Sequence, residues 1–446
     1  MTLTEAAFWT KRLGVIAGGA FLVILIIVFV VVSTGKNPTR PPEYLNPNFA
    51  CTETAEEFLN KAKIEIPSLP IDPDSEAIFE LATPTGKVNE LPHVVNVYKF
   101  ENPRQTIDAQ AQAKIKAGKL GFDKEKIIIP DTSTYMWRDE VNGRTLTMKA
   151  KNLNFVLETD LRKMQRATSQ GVVPSEQSAK TTAQNVLRSA GLFNESGGYH
   201  TPDIETTYIN LNPDGSFSKA SSASEAELIK VDFTREKSMI TISTELAGAD
   251  KMIKELADST GRDPKTISRT INDKKMEYFT FDTRVVLPRS KDSNITVYIG
   301  ASEKENKLSG GLASTYRIEY TYWPTSLDAC GTYPLISTRE AVDQVMNGKG
   351  SIAYLYNKEG DYISEYIQKN VRQFKINKNV RILYYETTEE QDFLLPIYLI
   401  SGEAIFDDNS TGLFDIYYPA IDYDNIKNKI IQKQTPIVEE KKDSFF

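Results

Sequence analysis

The apolar positions of this chain change their spacing along its length. From Leu13 to Val32 they run without a charge, "LGVIAGGAFLVILIIVFVVV". Further on they recur every three or four residues in short segments, each followed by stretches in which they alternate or run together. Spacing of three and four marks one face of a helix, alternation marks a half-buried strand, and a charge-free run of this length marks a membrane crossing. The predicted order is therefore one spanning helix and then a series of helix-then-strand phrases.

"ISTREAVDQVMNGKG", residues 336–350, is the plainest of these phrases. Ser337 and Glu340 have the spacing of a capping box, with Ile336 and Ala341 at the flanking staple positions. Ala341, Val342, Val345 and Met346 supply the apolar face, and Gly348 is placed to end the helix in a left-handed turn. "SIAYLY", "NVRILYYE" and "FLLPIYLISGEAIF" then read as strands, the last two parted by the polar turn "TTEEQD". A second phrase opens on Ser175, has Ala179, Ala183, Val186 and Leu187 as its face, and stops at Gly191. Its strands are "ETTYINL" and "ELIKVDF", the latter placing Ile229, Val231 and Phe233 on one side, with the turn "NPDG" after the first. The other phrase begins at Asn102 with Pro103 at the first helical position, takes Ile107, Ala111 and Ile115 as its face, and closes a hairpin on Asn142-Gly143. Three such phrases predict an α+β fold in which helices cover one face of antiparallel sheets. Coincidence among common patterns is the alternative. Residues 234–300 fit no copy and, with the helical "ADKMIKELADS", read as an insertion.

The run at 13–34 is read as a retained transmembrane helix, because a cleavable leader has an apolar core of only about 7–15 residues. Lys11 and Arg12 precede it and Lys36 and Arg40 follow, a near balance of positive charge. Since the long part of the chain follows the anchor, residues 1–12 are expected to be a cytoplasmic stub and the remainder extracytoplasmic, on a single-pass protein of the cell membrane. Gly14 and Gly18 stand four apart, a spacing that lets two membrane helices approach and would give a homo-oligomer through the anchor; the ordinary frequency of glycine in such helices is the plainer account. Residues 35–50 carry four prolines and read as a stiff linker. The expected domains are 51–168, 169–330 with its insertion, and 331–423, followed by a mobile tail at 424–446.

Charge and motif content narrow the function. The net charge is −7, and the first 35 residues contribute +1, so the outer part carries −8. That excludes the basic footprint of a nucleic-acid or anionic-lipid binder. His93 and His200 are isolated from each other and from both cysteines, so zinc has no ligand set. "DDNSTGLFDIYY" at 407–418 begins like a calcium loop, but Tyr418 stands where a bidentate glutamate is needed, and a hairpin turn is expected instead. No GxSxG, HExxH or phosphate-cradling glycine loop is present. No catalytic residue, metal or cofactor is expected. An envelope hydrolase built on a Ser–Lys or carboxylate pair, or a small-ligand carrier, is the alternative. Cys51 and Cys330 are either a disulfide, closing a loop of about 280 residues and stabilising by about 4–5 kcal/mol, or two buried thiols; sequence leaves both open.

Two segments, "YPLISTREAVDQVMNGKGSIAYLY" at 333–356 and "VRILYYETTEEQDFLLPIYLISGEAIF" at 380–406, resemble PepSY-like modules. More specifically, they resemble the extracytoplasmic regions of the YycH/YycI type of membrane-anchored regulators. The shared features are a capped helix with a Gly-Lys-Gly exit, a strand with paired tyrosines, and a second strand bearing "LxPIY" before a closing hairpin. The resemblance covers the last quarter of the chain, is looser at 175–233, and does not extend to the insertion at 234–300. It implies a non-enzymatic outer domain that contacts other envelope or membrane proteins, such as sensor kinases or peptidases, in a regulatory or scaffolding role. On one strand Tyr384 and Tyr385 point to opposite faces. The ring facing away from the core is expected, with Tyr398, to form an aromatic platform for a partner; half-burial on a sheet face is the competing expectation.

Overall fold

Ser337 accepts a hydrogen bond from the Glu340 amide at 3.1 Å, and the chain turns helical there. The same device operates at Ser175, whose hydroxyl accepts from the Ser178 amide. Gly191 and Gly348 stop their helices with φ of +69° and +79°, a backbone region closed to most side chains. These features belong to a computed structural model that describes residues 46–427, apart from 84, 102–107, 194–202, 272–273, 303–307, 309, 359–360 and 388–389. The expected anchor at 13–34, with Gly14 and Gly18, lies outside the described residues, as do the tail beyond Lys427 and His200. No described helix is long and apolar enough to cross a membrane.

The helices are α1 (Ala55–Lys61), α2 (Ala109–Lys119), α3 (Leu161–Gln170), α4 (Glu176–Ser189), α5 (Ala249–Thr260) and α6 (Thr338–Met346). Among the described residues the strands form two sheets, one of nine strands and one of eleven, and the fold is mixed α+β.

The nine-stranded sheet contains β3 (Ile128–Asp131), β4 (Thr134–Asp139), β5 (Arg144–Lys149), β6 (Phe155–Thr159), β7 (Asp203–Leu211), β8 (Phe217–Lys219), β9 (Leu228–Thr234), β13 (Ile295–Ile299) and β14 (Thr315–Tyr320). Its order is β3-β4-β5-β6-β14-β13-β9-β7-β8, antiparallel throughout. Helix α2 is followed by β3 to β6, and helix α4 by β7, β9, β13 and β14. These two groups join through their last strands, with Phe155 opposite Tyr320 and Leu157 opposite Ile318. Both helices lie against one face. Ala179, Ala183, Val186 and Leu187 pack there with Ile229, Val231 and Phe233, each buried. Helix α3 covers part of the other face, where Met164 and Ala167 meet Leu228, Tyr298 and Tyr316.

Helix α2 corrects one expectation. Its buried stripe is Ala109, Ala113 and Ala117, while Ala111 is exposed and Ile115 is 50% exposed; Ile107 lies outside the described residues. Two stripes with four-residue spacing run along this helix. The alanine stripe has no side chain beyond Cβ, so it lets the helix approach the rings of Tyr135 and Trp137 in the shared core.

The insertion enters the second sheet. β10 (Glu236–Ser243), α5, β11 (Lys265–Ile271) and β12 (Lys274–Val286) leave the nine-stranded sheet after β9 and return to it at β13. β12 pairs antiparallel with β10 and β11, and parallel with β18 (Arg381–Tyr385) through Val285 opposite Tyr384. The same sheet holds β1 (Ile78–Leu81), β2 (Val94–Lys99), β15 (Gly331–Pro334), β16 (Ser351–Asn357), β17 (Val371–Ile376), β19 (Phe393–Phe406) and β20 (Thr411–Pro419). Strand β17 is absent from the sequence expectation, since "VRQFKI" interrupts its apolar positions with charges. Asp407–Ser410 form the hairpin turn between β19 and β20, with Asn409 at φ +63°.

The sheets do not follow the segment boundaries at 168 and 330. Of the strands before residue 168, β1 pairs with β17 and β2 with β15 and β19, whereas β3 to β6 enter the other sheet. The described residues from Pro47 onward form one compact unit. Unpaired strand edges carry rows of backbone donors and acceptors, and pairing them across distant segments satisfies those groups.

Candidate functional site

Cys51 and Cys330 form a disulfide, with Cα atoms 4.6 Å apart. The approach is possible because residue 331 is glycine: a Cβ there would stand 2.7 Å from the Ala50 nitrogen. The Asn48 side chain accepts from the Thr332 amide at 2.8 Å, and the Phe49 amide donates to the Thr332 carbonyl at 3.2 Å. The chain is therefore fastened to β15 just as it enters the folded body.

The expected tyrosine platform is not formed. Tyr384 and Tyr385 are each 0% exposed and Tyr398 is 1% exposed. Tyr384 donates to the Asn96 carbonyl at 2.6 Å, Tyr385 to that of Glu65 at 3.3 Å, and Tyr398 to that of Ile336 at 2.6 Å. Burial pushes all three phenols up, Tyr385 to about 12. Alternation does send Tyr384 and Tyr385 to opposite faces, but both faces are covered, the Tyr384 face by β2 and the Tyr385 face by Ile64 and Ile66. His93 is exposed just before β2, and no cluster of metal-ligating side chains occurs among the described residues.

Polar chemistry gathers elsewhere, on the face of the nine-stranded sheet turned away from α2 and α4. Register places Thr207, Lys230, Tyr298, Arg317 and Glu158 in one row across five strands. The next row holds Glu205, Asp232, Thr296 and Glu319. Residues opposite one another on neighbouring strands share a face and interact. Lys230 Nζ donates to both oxygens of Asp232 at 2.8 Å, and Thr296 Oγ1 donates to Asp232 Oδ1 at 2.7 Å. Arg317 donates from Nε to Glu319 at 2.7 Å and reaches Glu158 at 3.1 Å. Lys230, Asp232 and Thr296 are each less than a tenth exposed.

A cleft of about 270 Å³ opens over these rows. Its lining also includes Lys291, Asp292 and Ser293 from the segment before β13, together with Phe217, Tyr362 and Ile363. Tyr362 is held in place by a 3.0 Å hydrogen bond between its hydroxyl and that of Thr207, and the neighbouring Asp361 accepts from the Lys219 amide at 2.6 Å. Tyr298 stacks on Phe217 with centroids 4.8 Å apart. The Tyr298 hydroxyl and the Asp292 carboxylate make no hydrogen bond among the described residues. Asp292 meets solvent at the mouth, yet surrounding protein, and then the charges of Glu319 and Asp232 opposed by Lys230, push its carboxyl above the usual range.

None of these residues was named from sequence, although a signal existed. In "LIKVDF", "ITVYI" and "TYRIEY" the apolar positions alternate with Lys/Asp, Thr/Tyr and Arg/Glu. Attention to the buried set overlooks its complement. Chemically the cleft suits binding: its floor lysine is neutralised by a bidentate carboxylate, and the Ser293 hydroxyl lies 3.2 Å from that of Thr234.

No family model matches this chain, and no curated protein matches it. Among solved structures, one neighbour is the crystal structure of an uncharacterized protein from Eubacterium rectale ATCC 33656 at 1.45 Å resolution. It has a TM-score of 0.34 and 8% sequence identity, and covers 82% of this chain and 96% of that one. A likeness at that level carries no argument about function.

Proposed function

We propose that this chain is a non-enzymatic, membrane-anchored extracytoplasmic protein that binds other envelope proteins in a regulatory or scaffolding role. The observation that carries the reading is the open edge of the nine-stranded sheet. Strand β3 ends that sheet and pairs with β4 alone among its strands; Ile128 is 42% and Ile129 52% exposed on it. The strand is four residues long and Pro130 offers no amide, so an extended segment of a partner would pair with the backbone on either side of it, beside the exposed isoleucines. The disulfide supports an extracytoplasmic location, because such bonds persist in oxidising compartments. The anchor rests on the apolar run at 13–32, and the helix-then-strands modules of the PepSY-like kind on the phrases at 175–233 and 336–406.

The test is photo-crosslinking from position 129 of the full-length chain in its own membrane. Capture of a defined envelope protein, abolished by Ile129→Lys at unchanged melting temperature, supports the reading. Capture that ignores the substitution sinks it. A second reading, a small-ligand carrier, is favoured by the unspent Tyr298 hydroxyl and Asp292 carboxylate in the polar cleft.

A further inference from the structure

We propose that the β3 edge takes an acidic segment of its partner, an extended stretch in which apolar residues alternate with Asp or Glu. The proposal rests on the partner-binding reading of that edge and adds the partner's chemical class. Residues 114–149, from within α2 to the end of β5, hold eight Lys and Arg against five Asp and Glu. That is a net of +3 in a chain whose net charge is −7.

Register fixes where those cations stand. Ile128 lies opposite Met136, and Met136 opposite Thr147. Tyr135, Trp137, Leu146 and Met148 belong to the core, so alternation turns Met136, Arg138, Thr147 and Lys149 to the face away from α2 and α4. Lys126 precedes Ile128 by two positions and Arg138 follows Met136 by two, so antiparallel pairing carries both toward one end of the edge. Lys149, opposite Thr134, stands toward the other end. Lys124, Lys126, Arg138 and Lys149 are all exposed, and Ile128 and the half-buried Met136 lie between them.

Local carboxylates leave this charge largely free. Glu125 is held by Lys114 at 2.8 Å, Asp139 by Asn142 and the buried Arg144, and Asp131 by Ser133. Asp123 reaches Lys126 only at 4.0 Å. Lys124, Arg138 and Lys149 make no ion pair among the described residues, nor does Glu140, exposed at the β4–β5 turn. Nucleic acid and anionic lipid also answer a cation, but neither offers the regular amides and carbonyls of a strand to the edge beside Pro130. A peptide does. Exposed isoleucines set among cations then favour a segment whose acidic residues alternate with apolar ones.

The experiment is fluorescence anisotropy on the full-length chain with three labelled probes: a peptide alternating valine with glutamate, its valine–lysine counterpart, and an oligothymidylate. The glutamate peptide is expected to bind about tenfold more tightly than the lysine peptide. That preference should shrink between about 0.1 M and 1 M salt, as the screening length falls from about 10 Å to about 3 Å. Lys126→Gln with Arg138→Gln should weaken the glutamate peptide about fivefold, the effect of two exposed ion pairs, at an unchanged melting temperature. Equal binding of the two peptides overturns the proposal, as does binding of neither, or a preference that the double variant leaves intact. Oligothymidylate bound as tightly as the glutamate peptide replaces it with a general polyanion site. Photo-crosslinking from position 129 separates the two failures. Capture abolished by Ile129→Lys but indifferent to the double variant keeps the edge reading and removes the acidic class.

Discussion

Arg235 and Glu386 form an ion pair in which both side chains are 0% exposed. Arg235 is the single residue between β9 of one sheet and β10 of the other, and Glu386 directly follows β18. The pair thus stands where the chain crosses between sheets, and Arg235 also donates to the Trp323 carbonyl at 3.0 Å. Burial pushes the Glu386 carboxyl up, against the opposing pull of Arg235.

Removing one partner leaves an uncompensated buried charge, so Glu386→Gln should cost about 3–5 kcal/mol. Replacing both, as Arg235→Met with Glu386→Leu, should cost much less. Chemical denaturation of the two single variants and the double variant gives the coupling. Additive losses would show that the pair does not act as a unit.

The disulfide closes a sequence separation of 279 residues. Its loss should destabilise by about 2–5 kcal/mol, read as a lower melting temperature after reduction and faster migration of the oxidised form on a non-reducing gel. Quantitative thiol labelling of the native, unreduced protein would sink this expectation.

Lys237 is 7% exposed, donates to the Ser326 carbonyl at 3.1 Å, and lies 4.9 Å from the Tyr98 ring centroid. Burial, then repulsion from Arg235, lowers its pKa to about 8. An unfolded lysine titrates near 10.4, so the folded chain binds fewer protons between these values. Its contribution to stability is therefore present above about 10.4 and lost as pH falls through about 8. Lys237→Met should raise stability relative to the parent more at pH 7 than at pH 10.5. Melting curves at both values decide, and a difference that grows with pH contradicts the assignment.

Tyr384, Tyr385 and Tyr398 should behave as core residues. Tyr384→Ala should cost about 3–5 kcal/mol through the cavity it leaves, and Tyr398→Phe about 1 kcal/mol through its lost bond to Ile336. Partner capture by the folded fraction should be unchanged. A variant that melts like the parent yet loses capture would restore the platform.

Ser175, Ser337, Gly191, Gly348 and the Asn142-Gly143 turn were legible in the sequence because each acts through atoms within a few residues of itself. β19 was readable residue for residue, since fourteen positions of apolar-rich chain between turn signals fit little else. The break in the pattern after 234 was visible but its end was not, since Ile295–Ile299, inside the expected insertion at 234–300, is a central strand of the nine-stranded sheet. The tertiary structure alone decided which stripe of α2 is buried, because the choice depends on how closely Tyr135 and Trp137 allow a helix to approach. It also decided that both faces of the Tyr384–Tyr385 strand are covered, by β2 and by residues near Ile64 that lie some 300 positions away. The polar cleft belongs to this second class. Alternation marks Lys230, Asp232, Thr296 and Glu319 as sharing a side within each strand, but a strand's period carries no information about its partner. Only the pairing of β9 with β13 and of β13 with β14 sets those residues in rows, and only the return of Tyr362 from the other sheet's connections encloses them.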